Sequence, residues 1–384
     1  MDKKILHIAM DDKFINASQW VFDKAFPSQN DLIICIKEEK EVINHIYPEY
    51  VMNFVLFNKL NQHLTSIIEN YHWVVLHSLS FEFSQIVLNF TKATFIWSYF
   101  GYEVYRNTVM SIHESYGKKT EELITSSYKM KIREFIRKQY YRLHYGINSP
   151  DQGVLEASKH ISYFATPIRE EYEMLIEKGI LSKSCQWINF SYYPMEFIFD
   201  KQIDMLVCGN NILLGNSAFH SNNHIEAIEM IKSLSLQKNQ KIITPLSYGD
   251  TQYAKTIETI GIQKLSGHFE PLNDFMALDQ YNKTLQSCGF VVMNHYRQQA
   301  LGNILASLWM GAKVFLDNRN NIYKYLKRIG VKVFLIHQLK KETIQWERLP
   351  IEDVRSNREV LIKHLSKDVI IHSLQHHWNQ SILK

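Results

Sequence analysis

The stretch HYRQQALGNILASLWMGAKVFL, residues 295–316, sets a fixed cation, two amides and a glycine at the mouth of a predicted helix. Arg297 is charged at any physiological pH and grips phosphate oxygens with a two-pronged fork. Gln298 and Gln299 add amide donors, Gly302 lets a ligand approach the backbone, and Asn303 offers another amide. The helix start contributes unsatisfied N–H groups and a positive dipole end. Together these suit a diphosphate that gains negative charge as it leaves. The plain alternative is a surface arginine ahead of an amphipathic helix.

Two more loops of the same half follow apolar runs. After NILLG come Gly215, Asn216 and Ser217, with Ser221 or Asn222 expected to cap the next helix and leave its N-terminus open to phosphate. An ordinary turn would use the same residue types. After QKIIT, Pro245 and Tyr248 stand where a base or sugar ring would stack, or in a plain loop. The sequence has no D-x-D, and no Glu lies between residues 290 and 320, so a metal-bridged diphosphate is not supported. Cations and helix dipoles are expected to do that work, with no metal and no cofactor. P-loop and G-x-G-x-x-G patterns are also absent.

The elements that must carry these loops are short apolar runs alternating with amphipathic stretches. Strands are predicted at 4–10, 31–37, 72–78, 93–99, 185–190, 211–217, 240–246, 289–295, 312–318 and 332–337. Helical patterns fall near 14–26, 58–70, 81–91, 118–145 and 168–178, and again between the later strands. Such alternation predicts α/β architecture with parallel sheets, and its restart after residue 200 predicts two domains. The expected division is 1–195, 203–350 and a helical tail 351–384 packed across the junction, with 191–202 as linker. Ligands of open α/β sheets bind beyond the carboxyl ends of strands, so a cleft between the two domains is the expected site.

Bulk composition agrees. The 384 residues are too many for one ordinary core, and 46% are hydrophobic, which excludes disorder. A formal charge of +4 gives no reason to expect nucleic acid. Of the four cysteines, Cys35, Cys208 and Cys288 sit in apolar runs, and none forms a C-x-x-C pair with Cys185 or another; buried thiols of a reducing compartment are expected. The start lacks a secretory h-region, and no apolar run approaches the ~18 residues that a membrane span needs. A cytoplasmic chain is expected, at most resting on the membrane surface.

The segments LLGNSAFHSNNHIEAI, ITPLSYG, DQYNKTLQSCGF and RQQALGNILASLWMGAKVFL together resemble the enterobacterial-common-antigen fucosaminyltransferases, the 4-alpha-L-fucosyltransferase-like glycosyltransferase family 56. Weaker matches are ILHIAMDD, FIWSYFGYEVY and YFATPIREEY, with Phe100 and Glu103 standing where the family shows Trp and Asp. The resemblance implies a GT-B fold of two Rossmann-like domains, with the donor on the C-terminal one and the acceptor on the N-terminal one. It implies transfer of 4-acetamido-4,6-dideoxygalactose from a dTDP-linked donor to a polyprenyl-diphosphate-linked glycan at the inner face of the cytoplasmic membrane. The rival readings are a nucleotide-sugar epimerase of the same fold and a non-catalytic glycan- or lipid-binding scaffold.

An inverting transfer needs a base for the acceptor hydroxyl. Asp12 and Glu103 match acidic positions of the resembling segments, and His77 ends the run WVVLH. Each also has a structural reading: Asp12 as a helix cap, Glu103 as a first-turn acid, His77 as a core imidazole. In 126–145, Ile132, Phe135, Ile136, Tyr140 and Leu143 recur at helical spacing amid Lys129, Lys131, Arg133, Arg137, Lys138 and Arg142. That pattern fits a membrane-surface helix or, equally, a solvated helix with its apolar face in the core. His372, His376 and His377 lack an acidic or thiol partner nearby and are expected in a terminal helix rather than at a metal.

Overall fold

The computed structural model describes residues 4–105, 110–125, 128–147, 149–199, 204–339 and 346–383. The chain divides into two compact units. Unit 1 gathers Met1–Val109, Met130–Phe197 and Leu365–Lys384; unit 2 gathers Met110–Lys129 and Ile198–His364.

Unit 1 holds a seven-stranded sheet built from β1 (Lys4–Ala9), β2 (Asn30–Ile36), β3 (Val51–Leu56), β4 (Tyr71–His77), β5 (Phe95–Ser98), β6 (Tyr163–Ala165) and β7 (Gln186–Ile188). Its order is β3-β2-β1-β4-β5-β6-β7, with every pair parallel. Unit 2 holds β8 (Ile212–Leu214), β9 (Ile242–Pro245), β10 (Phe269–Leu272), β11 (Phe290–Met293), β12 (Lys313–Leu316) and β13 (Phe334–Leu335) in the order β10-β9-β8-β11-β12-β13, again all parallel. Central strands such as β1 and β11 are apolar and buried along nearly their whole length, as a sheet covered on both faces requires.

All ten predicted strands are present, eight trimmed at their ends and β2 and β4 shifted by one residue. The three unpredicted ones have physical reasons for being unreadable. β3 lies at the sheet edge and exposes Met52, Asn53 and Phe54, so its sequence VMNFVL carries no clear buried face. β6 has only three residues. β10, FEPL, contains Pro271, tolerated because an edge strand has no ladder bond on its outer side.

The predicted helix 118–145 is two helices: Lys118–Thr125 lies in unit 2, and Tyr128–Tyr145 belongs to unit 1 from Met130 onward. The first is held in unit 2 by contacts no local pattern encodes. Thr120 donates its N–H to Glu226 Oε1 at 2.9 Å and its hydroxyl to Oε2 at 2.6 Å, Gly117 N–H donates to Asn223 Oδ1 at 2.9 Å, and Leu123 packs on the unit 2 core. The 351–384 tail is also split. Its first helix, Ile351–Leu365, lies almost wholly in unit 2, whereas Lys367–Ile382 belongs to unit 1. There Trp378 is buried with ring centroids 4.9 Å from Phe26 and 4.8 Å from Trp73.

Cys35, Cys185 and Cys288 are buried free thiols, but Cys208 is exposed, because DMLVCG runs as irregular chain ahead of β8 and is not a strand. Among the described residues no helix is long and apolar enough to cross a membrane.

Candidate functional site

In each sheet the strand order reverses once. The first three strands of unit 1 run outward from β1 and the next begins on its other side at β4; in unit 2 the reversal lies between β8 and β11. A crevice opens at such a switch point beyond the carboxyl ends of the two strands.

In unit 2 that crevice is flanked by Gly215–Ser217 after β8 and by Asn294–Gln299 after β11. The loops are cross-linked by side chains. Asn222 Oδ1 accepts the Asn216 N–H at 3.0 Å and His295 Nε2–H at 2.8 Å, while its amide donates to the carbonyls of Ser217 and Phe219. Ser221 Oγ donates to Gln299 Oε1 at 2.6 Å, and Gln299 Nε2 donates to Asn216 Oδ1 at 3.0 Å. Asn223 and Asn294 exchange amide-to-carbonyl bonds at 3.0 and 3.1 Å. Gly215, at φ +69°, cannot be replaced cheaply: a Cβ there would lie 2.6 Å from His224 Nε2 and 2.7 Å from Asn222 Oδ1.

Arg297 is half-buried, with one guanidinium nitrogen donating to the Gln298 carbonyl at 3.0 Å and the other 3.5 Å from Ser221 Oγ. The helix Leu301–Trp309 then starts from Ala300, which has φ +61° and no side chain to cap the first turn. A Cβ on Gly302 would meet nothing within 4 Å, so open space lies beside that first turn. Asn303 turns aside to donate to Tyr281 Oη at 3.2 Å. Gln298 is buried, and its Oε1 has no hydrogen-bond partner among the described residues.

The structure thus brings together Gly215, Asn216, Ser217, Asn222, Arg297, Gln298, Gln299 and Gly302 at one crevice. Two expectations change. Neither Ser221 nor Asn222 caps the following helix; His224–Lys232 starts from Asn223 at φ +49°, and Asn222 braces the loop instead. Pro245 is the buried last residue of β9, so its ring is packed in the sheet. Tyr248 is exposed, with its ring edge-on to Phe219 at 5.4 Å.

The sequence reading left His224 and His295 without a role. Both are fully buried, and burial holds both imidazoles neutral, His224 at about 3 and His295 well below the usual range, with Arg297 adding to the effect on His295. The amide oxygen of Asn222 can only accept, so His295 carries its proton on Nε2. The available signal was position, since polar residues immediately after an all-apolar strand have to bond something.

The unit 1 crevice separates the three base candidates. His77 is buried and paired with His7, Nε2 to Nδ1 at 3.1 Å. Asn30 spends its amide on Asp23 and the Phe26 carbonyl and takes a bond from His7 Nε2 through Oδ1, so His77 must donate to His7. Burial pushes His7 down to about 4 and His77 well below its usual range. Glu103 is also buried, and both its oxygens are committed: they accept from Trp97 Nε1 and from the N–H groups of Phe100, Gly101 and Tyr102. Asp12 differs. It is half-buried, its Oδ1 accepts the Phe14 N–H at 2.9 Å, and its other oxygen has no hydrogen-bond partner among the described residues. Burial raises its pKa. Neighbouring Asp11 spends both oxygens on the N–H groups of Asn44 and His45.

The helix Tyr128–Tyr145 docks through Tyr141 and Tyr145, whose rings meet Phe81 at 5.2 and 4.8 Å. Its apolar stripe faces the other way. Phe135 is 64%, Ile136 62% and Leu143 81% exposed, with Ile132 and Tyr140 also exposed. Arg137, Lys138 and Arg142 are exposed on either side of the stripe; the side chains of Lys129, Lys131 and Arg133 lie outside the described residues.

Two parallel Rossmann-like sheets in one chain are the GT-B architecture of glycosyltransferases, and solved structures share it. Sucrose-phosphate synthase from Thermosynechococcus elongatus superposes with a TM-score of 0.59 at 9% identity, covering 99% of each chain. HepE of Anabaena, solved with UDP and glucose, gives 0.58 at 9% identity over 98% of this chain and 100% of that one. The N-terminal domain of Candida albicans trehalose-6-phosphate phosphatase gives 0.60 at 9% identity over 100% and 97%. A family model described as 4-alpha-L-fucosyltransferase, glycosyl transferase group 56, matches residues 193–362, and the resemblance read from the sequence is borne out over that span. The family match over residues 193–362 and the shared fold support a glycosyltransferase.

Proposed function

We propose that the chain transfers an acetamido-deoxy sugar from a nucleotide-diphosphate donor, dTDP-linked as in the resembling family, to a glycan carried on a polyprenyl diphosphate. The observation that carries this is the unit 2 crevice, where cross-linked amide loops, Arg297 and an uncapped helix start converge. Those groups favour a diphosphate leaving group without a bridging metal. HepE, which shares the fold, was solved with UDP. In an inverting transfer the acceptor oxygen attacks the anomeric carbon and its proton passes to Asp12. The bond from that carbon to the diphosphate breaks, and its electron pair leaves with the diphosphate.

A lipid-linked acceptor is supported by the outward apolar stripe of Tyr128–Tyr145 and its flanking cations. Each basic residue near an anionic leaflet contributes about 1 kcal/mol, which suits a reversible hold on the inner membrane face. An epimerase would have no use for that stripe. The test is a thermal-shift panel of UDP, dTDP and dTDP-sugars, joined to co-sedimentation with anionic liposomes. Ligands of the folded state raise the melting temperature by mass action. Protein unmoved by every nucleotide would sink the donor assignment; protein absent from the liposome pellet even at low salt would sink the lipid-linked acceptor.

A further inference from the structure

Four aromatic rings meet beyond the carboxyl ends of the unit 1 strands. Phe14 follows β1, Phe100 follows β5, and Tyr192 and Tyr193 follow β7. The Phe14 ring centroid lies 4.5 Å from Tyr192, 5.4 Å from Tyr193 and 5.5 Å from Phe100, and Phe100 lies 5.2 Å from Tyr192. All four are only partly buried, so the cluster is neither core nor scattered surface.

The loops that carry these rings are pinned. Asp12 holds the Phe14 N–H, Glu103 holds the N–H groups of Phe100 to Tyr102, and Ser191 Oγ donates to the Tyr193 carbonyl. The Tyr193 hydroxyl donates to the Lys13 carbonyl at 3.3 Å, which ties the β7 loop to the β1 loop. Glu103 therefore reads as the residue that positions Phe100. The Asp12 carboxylate, bonded to the Phe14 N–H, lies beside the rings, and after burial it is the nearby charge that raises the Tyr193 phenol.

A sugar ring has one face of C–H groups and an edge of hydroxyls, which suits aromatic faces next to a carboxylate and phenols. A phosphate group suits that mouth poorly, since Asp11 and Asp12 put negative charge there, so the sugar end of an acceptor fits it better than the diphosphate end. The donor loops are in unit 2, which leaves this crevice for the second substrate of a two-substrate reaction. We propose that Phe14, Phe100, Tyr192 and Tyr193 form the stacking face for the terminal sugar of the acceptor, with its hydroxyl edge toward Asp12. This rests on the transferase reading, but binding alone can test it.

The experiment is saturation-transfer NMR on the full chain with methyl glycosides of glucose and N-acetylglucosamine, read alongside dTDP binding by calorimetry. Wild-type protein is expected to transfer saturation to the C–H protons of at least one glycoside. Tyr193→Ala is expected to weaken that binding about three- to tenfold, the scale of one lost aromatic contact. Tyr193→Phe keeps the ring, loses the bond to Lys13, and should bind as wild type. Phe14→Leu keeps apolar volume at the helix start and should weaken binding on the scale of Tyr193→Ala, with dTDP affinity unchanged in all three. Absence of saturation transfer in wild type, unchanged binding in Tyr193→Ala and Phe14→Leu, or equal losses in Tyr193→Phe and Tyr193→Ala would overturn the stacking face. Loss of dTDP binding in wild type would instead overturn the donor reading, and the glycoside signal would still decide the rings.

Discussion

The two crevices share a topology and differ in what fills them. Each lies where a parallel sheet reverses its strand order, and each has buried neutral imidazoles close by, His7 and His77 in unit 1 and His224 and His295 in unit 2. Above that level they part. The unit 2 crevice is lined by amides bonded to one another, with the half-buried Arg297 and an uncapped helix start beside them. The unit 1 crevice has aromatic rings and a single carboxylate with an oxygen to spare. On the proposed roles, one fold would serve an anion at one switch point and a neutral ring at the other through the residues just after the strands.

The sharpest test of that division is Asp12→Asn, which keeps the bond to Phe14 N–H through the amide oxygen and deletes the proton acceptor. Turnover is expected to fall about 10²–10⁴-fold, as for loss of a general base. Nucleotide affinity, measured by calorimetry, should not move. A parallel loss of nucleotide binding would break the separation of the two crevices. Arg297→Ala should do the reverse. A charge-assisted contact to phosphate contributes about 1.5–3 kcal/mol, so dTDP and UDP affinity should drop about 10- to 100-fold while glycoside binding in unit 1 is untouched. Unchanged nucleotide affinity would remove Arg297 from the site.

A further effect is on stability, and it concerns what the crevices have in common. His7, His77, His224 and His295 all have pKa values depressed by burial, to about 4 for His7 and about 3 for His224. Unfolded histidines bind protons below about pH 6.5 while these folded ones do not. Stability is therefore fully present above about pH 6.5 and is lost as pH falls from there toward 4. Each such group contributes up to about 1.4 kcal/mol per pH unit in that window. Urea melts at pH 7.5, 6 and 5 should show the decline, and His295→Gln should flatten it; a flat profile in wild type would mean that these rings are protonated in the fold.

Much of this was legible in the sequence because strand-ending loops announce themselves. Gly215, Asn216, Ser217, Arg297 and Gln299 follow apolar runs and do meet at one crevice. The bracing was not legible: Asn222 to His295 and Asn223 to Asn294 span 73 and 71 residues, and an asparagine or histidine after a strand does not declare its partner. Glu103 looked like Asp12, an acid after a strand, and only the four N–H groups around it set it apart. Periodicity likewise found the apolar stripe of 128–145 but is silent on which way a stripe faces. Here Tyr141 and Tyr145 turn it outward by taking the docking side.

The division of the chain carries a consequence for synthesis. Unit 1 is assembled from three stretches, and the helix Lys367–Ile382, with Trp378 set between Phe26 and Trp73, belongs to it. Those residues leave the ribosome after all of unit 2. The first sheet to be translated therefore waits, with part of its apolar face uncovered, until the second domain has been made. Domains usually complete in the order in which they emerge. Here the later domain has everything it needs first, and the earlier one is closed last by a helix encoded some 290 residues downstream of the Trp73 it covers.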